Sequence, residues 1–301
     1  MRVRRAGMLG VSVACVAAAF AAVSALSPTS TASPCKPIGD VAMLKDVPEA
    51  SGLAISRRQT GLLWTHNDSG NATDLFAIDP SGTLKGRVRL PIRTRDWEDV
   101  SSGPCPSGDC LFIADIGDNG GSRKNVLLFR IPEPAPDARQ TARPETFTLT
   151  YPDGPHDAEA LFVAESRVFI VTKDRDGVIY GSVEPLSAER NVRMQRISQL
   201  QLGVVTDAET SRDGQSVVVR NSHEAIVYRT ADLVRGGAVP SGVHIPVDAL
   251  QEPQGEGVAL DGDVLYLASE GRGSRAGRLL SLRCSLPSLP LPSRPSPSEA
   301  P

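Results

Sequence analysis

A short acidic phrase, Asp96-Trp97-Glu98-Asp99-Val100, recurs along this chain and decides how it folds. Three later copies keep the glutamate and one earlier copy replaces it by serine: Asp157-Ala158-Glu159-Ala160-Leu161, Asp207-Ala208-Glu209-Thr210, Gly255-Glu256-Gly257-Val258 and Ser51-Gly52-Leu53-Ala54. Self-similarity at a period of about 40 to 50 residues is typical of chains built from repeated structural units. The sequence therefore predicts five repeats.

Each copy is followed by further runs of strand type. A strongly apolar run that ends in polar turn residues comes first, at 62–68, 111–115, 168–173, 216–221 and 264–269. A third run follows at 74–78, 126–131, 178–182, 225–229 and 278–282, and a more polar fourth run at 86–90 and 145–149. Runs rich in β-branched, leucine and aromatic residues, bounded by Gly, Asn and Asp, indicate buried strands. We therefore expect four strands in each repeat.

Four strands repeated five times favour an all-β fold, a β-propeller of five four-stranded blades. A six-bladed ring and a β-sandwich are the alternatives. The proline-rich segment 132–144 is predicted to be a loop, which explains the longer interval between Glu98 and Glu159. The last repeat lacks a fourth strand, so we expect residues 40–44 to pair with 278–282 and to close the last blade.

Four cysteines follow residue 25, and they predict two disulfides. Cys35 precedes the predicted closing strand and Cys284 follows its partner, so antiparallel pairing brings the two together. Cys105 and Cys110 then form a small loop staple. In the chain-entropy model, a link that closes so long a loop stabilises the fold by roughly 4 to 5 kcal/mol.

The ends of the chain have their own composition. Residues 1–25 combine Arg2, Arg4 and Arg5 with an alanine-rich apolar run and a small-residue exit, which is typical of an export signal, with an uncleaved membrane anchor as the alternative. We divide the remainder into a linker at 26–39, the β domain at 40–284 and a disordered Pro/Ser-rich tail at 285–301. A secreted or extracytoplasmic protein is expected.

The charge pattern limits the partners. The formal net charge is −3, and no basic stripe with interleaved aromatic residues is present, so nucleic acid is not expected as a partner. No run beyond the signal is long and apolar enough to cross a bilayer. We expect a monomer whose small-molecule or extracellular ligand the sequence does not identify.

The repeats place polar residues on one rim of the ring. In a four-stranded antiparallel unit, the start of the first strand and the end of the second lie on the same side. The candidate ligand-binding residues that this rule collects are Ser51, His66, Asp68, Asp96, Glu98, Asp115, Asp118, Asp157, Glu159, Lys173, Asp207, Glu209, Asn221, Glu256 and Glu270.

Four glutamates of this rim, Glu98, Glu159, Glu209 and Glu256, are expected to point toward one axis. Carboxylates that approach one another resist ionising together unless a cation neutralises them, and oxygen-only ligands suit calcium better than zinc. Calcium is therefore the candidate cofactor. The alternative is structural, with each carboxylate accepting backbone N–H bonds from a neighbouring repeat.

Several catalytic motifs are absent from the sequence. It contains no Gly-x-Ser-x-Gly elbow, no Cys-x-x-Cys pair and no His-Glu-x-x-His helix. These absences argue against an α/β-hydrolase nucleophile and against a zinc site.

Residues 40–284 resemble the exported phytase-like or esterase-like β-propellers of bacteria. The resemblance rests on Asp157-Ala158-Glu159-Ala160-Leu161 with Thr172-Lys173, on Trp97-Glu98-Asp99 with the segment 113–119, and on His66-Asn67-Asp68-Ser69-Gly70. Members with phytase activity use calcium on an acidic face to hold and hydrolyse phosphoesters.

The resemblance implies that a cation would lie near a matching set of carboxylates, with basic residues available for phosphate. The carboxylates are Asp157, Glu159, Asp207, Glu209 and Glu256, and the basic residues are Lys173, Arg220 and Arg272. Two functions remain open: a binding or scaffold module with an acidic face that holds calcium, and a calcium-dependent phosphoester or ester hydrolase.

Overall fold

A computed structural model of the chain describes residues 33–141, 143–186, 191–238, 240–271 and 276–287. The predicted signal at 1–25, the tail beyond residue 287 and Arg272 lie outside these ranges. No helix within them is long and apolar enough to cross a bilayer.

The described residues form twenty-one strands, one short helix and one 3-10 turn at Asp248–Leu250. The helix, α1, is Thr230–Arg235. In chain order the strands are β1 Cys35–Pro37, β2 Ala42–Leu44, β3 Ala50–Ile55, β4 Leu63–Asn67, β5 Asp74–Ile78, β6 Leu84–Arg89, β7 Asp99–Cys105, β8 Gly108–Asp115, β9 Val126–Pro132, β10 Glu145–Thr150, β11 Ala158–Ala164, β12 Arg167–Thr172, β13 Val178–Ser182, β14 Asn191–Gln199, β15 Asp207–Thr210, β16 Ser216–Arg220, β17 Glu224–Arg229, β18 Gly242–Pro246, β19 Gln254–Asp261, β20 Val264–Glu270 and β21 Gly277–Cys284.

These strands form four sheets in an all-β fold. Two sheets have four strands, β3-β4-β5-β6 and β15-β16-β17-β18. A sheet of eight strands has the order β11-β12-β13-β14-β10-β9-β8-β7, and a sheet of five contains β1-β21-β20-β19, with β2 also paired to β21.

The prediction of five separate four-stranded blades is therefore wrong, and the six-bladed alternative fits the four observed sheets no better. Two antiparallel groups merge into the eight-stranded sheet because their outer strands β10 and β14 pair in parallel, with Thr148 opposite Asn191. The five-stranded sheet exceeds four because the N-terminal residues supply two short strands, β1 and β2, instead of one. β1 also lies within the segment 26–39 that the sequence assigned to a linker.

The strands that carry the acidic phrases lie at the centre of the fold. β3, β7, β11, β15 and β19 contact one another in ring order, and β19 returns to β3. Apolar side chains fill the space between neighbouring sheets: Trp64 and Trp97, for example, are fully buried in one cluster with Leu111 and Ile113. Burial of this kind is the main favourable contribution to folding.

Both predicted disulfides are confirmed. Cys35 lies opposite Cys284 in the antiparallel pairing of β1 with β21, and the two are bonded. Cys105 and Cys110 are bonded across the β7–β8 hairpin.

Candidate functional site

An acidic cavity of about 160 Å³ lies where β3, β7, β11 and β19 begin. Eight of the predicted site residues line it: Ser51, Asp68, Asp96, Glu98, Glu159, Lys173, Glu256 and Glu270. Glu49, Asn119 and Gln254 also contribute to its wall. We call this space the acidic cavity.

The charge of the acidic cavity is strongly one-sided. Seven carboxyl side chains face it, and among the described residues of its wall Lys173 alone is cationic. The Lys173 ammonium forms an ion pair with Glu159, and about a third of its side chain remains exposed. The backbone N–H of Lys173 donates to Asp157 O at 3.0 Å, which fixes the end of β12 beside the start of β11.

Local backbone features place the glutamates. The pairing of β11 with β12 shifts between Ala158 and Ala160, so Glu159 stands at an irregularity. A similar shift between Gly255 and Val258 contains Glu256. Extra residues of this kind bend a strand and redirect its side chains, and they are common beside functional sites.

Glu98 and Asp96 approach the chain closely at Gly117. A Cβ atom at Gly117 would collide with Glu98 Oε1 and would lie 2.6 Å from Asp96 Oδ2. The Gly117 N–H donates to Asp96 O at 3.0 Å. Because only glycine leaves room there, Gly117 lets two carboxylates face the acidic cavity together.

Three glutamates of the acidic cavity hold protons more tightly than usual. Burial, with repulsion from Glu159, Asp68 and Asp96, raises the pKa of Glu98 to about 10. Burial also raises the pKa of Glu159 to about 7 although Lys173 opposes the shift, and it raises the pKa of Glu256 to about 7. At neutral pH the acidic cavity therefore holds protons that an incoming cation would displace.

Glu209 does not join the other three predicted glutamates. It is fully buried and accepts bonds from Ser102 Oγ at 2.8 Å, from Ser102 N at 3.2 Å and from Ser101 Oγ. Burial raises its pKa to about 8. The prediction misplaced Glu209 because it aligned the repeats in the wrong register. Asp207 is the first residue of β15 and lies opposite Arg220, just as Asp99 is the first residue of β7 and lies opposite Ala114. Asp207 therefore corresponds to Asp99 and not to Asp96, and Glu209 lies within β15, whereas Glu98 precedes β7.

We call β3, β7, β11, β15 and β19, each of which opens a repeat, the first strands. Asp99 and Asp207 accept hydrogen bonds from the backbones of first strands other than their own. Asp207 accepts N–H bonds from Leu53 at 3.2 Å and Val258 at 2.5 Å, and Asp99 accepts one from Leu161 at 2.6 Å. Both side chains are fully buried, and burial raises both pKa values. Asp99 and Asp207 therefore have the structural role that the sequence offered as the alternative to metal binding, in which a carboxylate accepts backbone N–H bonds from another repeat. Asp99 was not among the predicted site residues, although it belongs to the acidic phrase at 96–100.

Four other predicted site residues maintain local structure. Asp115 accepts from Asp96 N at 2.8 Å and pairs with Arg123 at 3.1 Å. Asp118 accepts from Arg123 N, and its own N–H donates to Asp157 at 2.7 Å. Asn221 Oδ1 accepts the N–H groups of the turn that follows it.

His66 is buried with its ring 4.2 Å from that of Trp97. Burial lowers the pKa of His66 to about 4, so it is neutral at physiological pH. Arg220, which the resemblance offered for phosphate, is fully buried and pairs with Glu252 at 2.8 Å. Its guanidinium is therefore committed to the interior.

The donors of the acidic cavity are oxygens, which suits a hard cation. In the ranges that the structure describes, however, no three acidic, histidine or cysteine side chains are grouped so as to hold a metal ion. Calcium binding stays a prediction.

Comparison with known proteins bears on the fold of this chain and not on its function. No protein-family model matches the chain, and no curated protein matches it in sequence. Among solved structures, the major allergen Mala s 1 of Malassezia sympodialis is similar with a TM-score of 0.52 and 10% identity, over 83% of this chain and 97% of that one. Mala s 1 is a β-propeller, and the all-β ring of first strands is compatible with that architecture.

Proposed function

We propose that this protein is an exported binding module whose acidic cavity takes a small cation. The observation that carries the proposal is the imbalance of seven carboxyl groups against the single ammonium of Lys173 in the described wall of one cavity. Carboxylates this close, with raised pKa values, gain from any cation that neutralises them. Calcium is the candidate ion, because oxygen donors suit a hard cation.

Lys173 supports the same function from inside the chain. Its ammonium pairs with Glu159, and although burial lowers the pKa of Lys173, the acidic side chains of Glu159, Asp157 and Glu98 raise it overall. The acidic cavity thus already accommodates one positive charge, tethered by the lysine side chain. A free cation would compete with this ammonium for Glu159.

Isothermal titration calorimetry with calcium chloride, and separately with 1,4-diaminobutane, tests the proposal. We expect saturable binding of at least one of the two cations. Glu159→Gln should weaken it at least tenfold, which corresponds to about 1.4 kcal/mol. Lys173→Met should strengthen it, because the competing ammonium is removed.

Asp137→Asn is the matched control, since Asp137 is an exposed carboxylate outside the acidic cavity. It removes the same charge and should leave the affinity unchanged. Absence of binding by both cations, or equal weakening in Asp137→Asn and Glu159→Gln, would remove the proposal.

A second candidate is hydrolysis of phosphoesters or esters, and one observation favours it. Glu98 and Glu159 line one cavity with pKa values of about 10 and 7, and such a separation is how enzymes assign a general acid and a general base. Hydrolysis of p-nitrophenyl phosphate and p-nitrophenyl acetate, with calcium and with chelator, tests it. Turnover by the natural chain that is lost in Glu98→Gln supports hydrolysis as the function. A rate for the natural chain no higher than that of Glu98→Gln rejects it.

A further inference from the structure

A second cavity, of about 350 Å³, lies at the other end of the first strands. Its wall includes Pro104 near the end of β7, and Val163 and Ala164 at the end of β11. The acidic cavity lies where these strands begin, so the two cavities occupy opposite mouths of the ring. We call this space the basal cavity.

The size and wall of the basal cavity differ from those of the acidic cavity. Its volume falls within the ordinary range of small-ligand sites, about 300–1,000 Å³. Pro104, Val163 and Ala164 give it an apolar side. Charged groups of both signs complete the wall, among them Arg57, Arg229 and Glu165.

The guanidinium of Arg57 is fixed by two contacts that leave some of its N–H donors unused. Its Nε lies 3.3 Å from Asp109 Oδ1, and its Nη2 donates to Arg212 O at 3.0 Å. A guanidinium carries five N–H donors in a fixed plane, so these two contacts orient the group and leave others for a ligand. Guanidinium groups match planar carboxylates in two-pronged geometry.

Arg229 is held more completely than Arg57. Its Nε and Nη2 both donate to Asp232, at 3.0 and 2.9 Å. Arg57 meets its carboxylate partner Asp109 through one contact of 3.3 Å, so Arg57 is the better placed of the two to bind an anionic group.

Glu165 supplies the opposite charge. It stands in the two-residue turn between β11 and β12, where Glu165 and Ser166 have φ values of 51° and 61°. Turns of this length favour Asn-Gly, because both residues need positive φ. The turn holds an exposed carboxylate at the edge of the basal cavity.

We propose that the basal cavity binds a small zwitterion of the apolar α-amino acid type. The ligand carboxylate bonds to Arg57, the ligand ammonium pairs with Glu165, and the aliphatic side chain packs on Pro104, Val163 and Ala164. A simple anion would meet Glu165 unfavourably, and a simple cation would meet Arg57 unfavourably. A zwitterion satisfies both, and this site is independent of the acidic cavity.

Calorimetric titration of the full chain with leucine, 4-methylpentanoate and 3-methylbutylamine tests the inference. The second compound lacks the ammonium and the third lacks the carboxylate, while the aliphatic body is kept. We expect leucine to bind with a Kd of roughly 0.1–1 mM, and each analogue to bind at least tenfold more weakly.

Variants assign the two contacts. Glu165→Gln should weaken leucine about tenfold and leave 4-methylpentanoate no weaker than before, whereas Arg57→Met should weaken both. Glu184→Gln, an exposed carboxylate outside the basal cavity, is the control and should bind leucine as the natural chain does. Arg57 also contacts Asp109 and Arg212, so the melting temperature of Arg57→Met is measured to show that the variant is folded. Glu165 is an exposed turn residue, and its replacement should leave the fold intact.

Three results would overturn the inference. The first is no saturable heat with leucine up to roughly 10 mM, well above the expected Kd. The second is equal leucine affinity in the natural chain and Glu165→Gln. The third is an analogue that binds as tightly as leucine.

Discussion

The carboxylate of Glu209 accepts a 2.8 Å hydrogen bond from the hydroxyl of Ser102, a residue of a different sheet. The same carboxylate accepts the Ser102 N–H at 3.2 Å and the Ser101 hydroxyl. One buried side chain thus links β15 to β7 at the centre of the ring.

Replacement of Glu209 by alanine should destabilise the fold strongly. It leaves a buried N–H and two hydroxyls without this acceptor, and each buried group left unpaired costs about 1–3 kcal/mol. We expect Glu209→Ala to lower the free energy of unfolding by about 3 kcal/mol in urea titration. Glu184→Ala, at an exposed position, should change it by less than about 0.5 kcal/mol. An effect of Glu209→Ala as small as that of the control would contradict the linking role.

Stability should fall as pH rises from weakly acidic to alkaline. The folded-state pKa values of Glu159, Glu256 and Glu209 are about 7, 7 and 8, above the ordinary value near 4.5. The folded chain therefore retains protons that the unfolded chain releases, and this stabilisation is complete below about pH 4.5 and lost through pH 7 to 8.

Thermal unfolding measured between pH 5 and pH 9 checks this dependence. A single group whose pKa is raised by about two units contributes roughly 2–3 kcal/mol to this dependence. A loss of about 2 kcal/mol already corresponds to a fall in melting temperature of roughly 4–8 °C for a chain of this size, so we expect at least that fall. Glu209→Gln keeps the shape of the side chain without its charge, so it should flatten the profile and gain relative stability at pH 9. A melting temperature that rises steadily from pH 5 to pH 9 would show that these carboxyls do not dominate.

The two disulfides should differ in their contribution to stability. Cys35 and Cys284 are 249 residues apart and Cys105 and Cys110 only five, and the chain-entropy model gives about 5 kcal/mol for the former and about 2 kcal/mol for the latter. Paired Cys→Ser variants of each, compared by urea unfolding, measure the difference. Equal losses in the two variants would show that loop length does not set the effect.

Gly117 should matter to the acidic cavity more than to the fold. A methyl group there meets the ends of the Glu98 and Asp96 side chains, which move aside instead of unfolding the chain. We expect Gly117→Ala to weaken cation binding by about tenfold, or about 1.4 kcal/mol, with a fall in melting temperature of less than about 3 °C. Gly120→Ala is the control, because a Cβ at Gly120 has no contact closer than 3.8 Å. Equal cation affinity in the two variants would contradict the role of Gly117.

The sequence predicted the first three strands of each repeat and both disulfides, because these depend on local pattern and on cysteine position. It gave no position for β14 or β18 and did not predict β1. It did not predict the parallel pairing of β10 with β14, since the pattern within each outer strand marks it as a strand but does not say which strand of another repeat lies beside it. It placed Glu98, Glu159 and Glu256 on one rim, and in the structure these three line one cavity. It misplaced Glu209, because a shift of register along β15 changes the depth of a side chain without changing the motif.

The proton balance of cation binding tests the central proposal most directly. At pH 7 Glu98 is protonated, and Glu159 and Glu256 are near their pKa values, so a cation that neutralises the acidic cavity must displace protons. Calorimetry of the cation that binds, calcium or 1,4-diaminobutane, in two buffers of different ionisation enthalpy measures the number released. The account predicts release of about one proton per bound cation, reduced in Glu159→Gln. Binding with no proton release, or no binding of either cation, would contradict it.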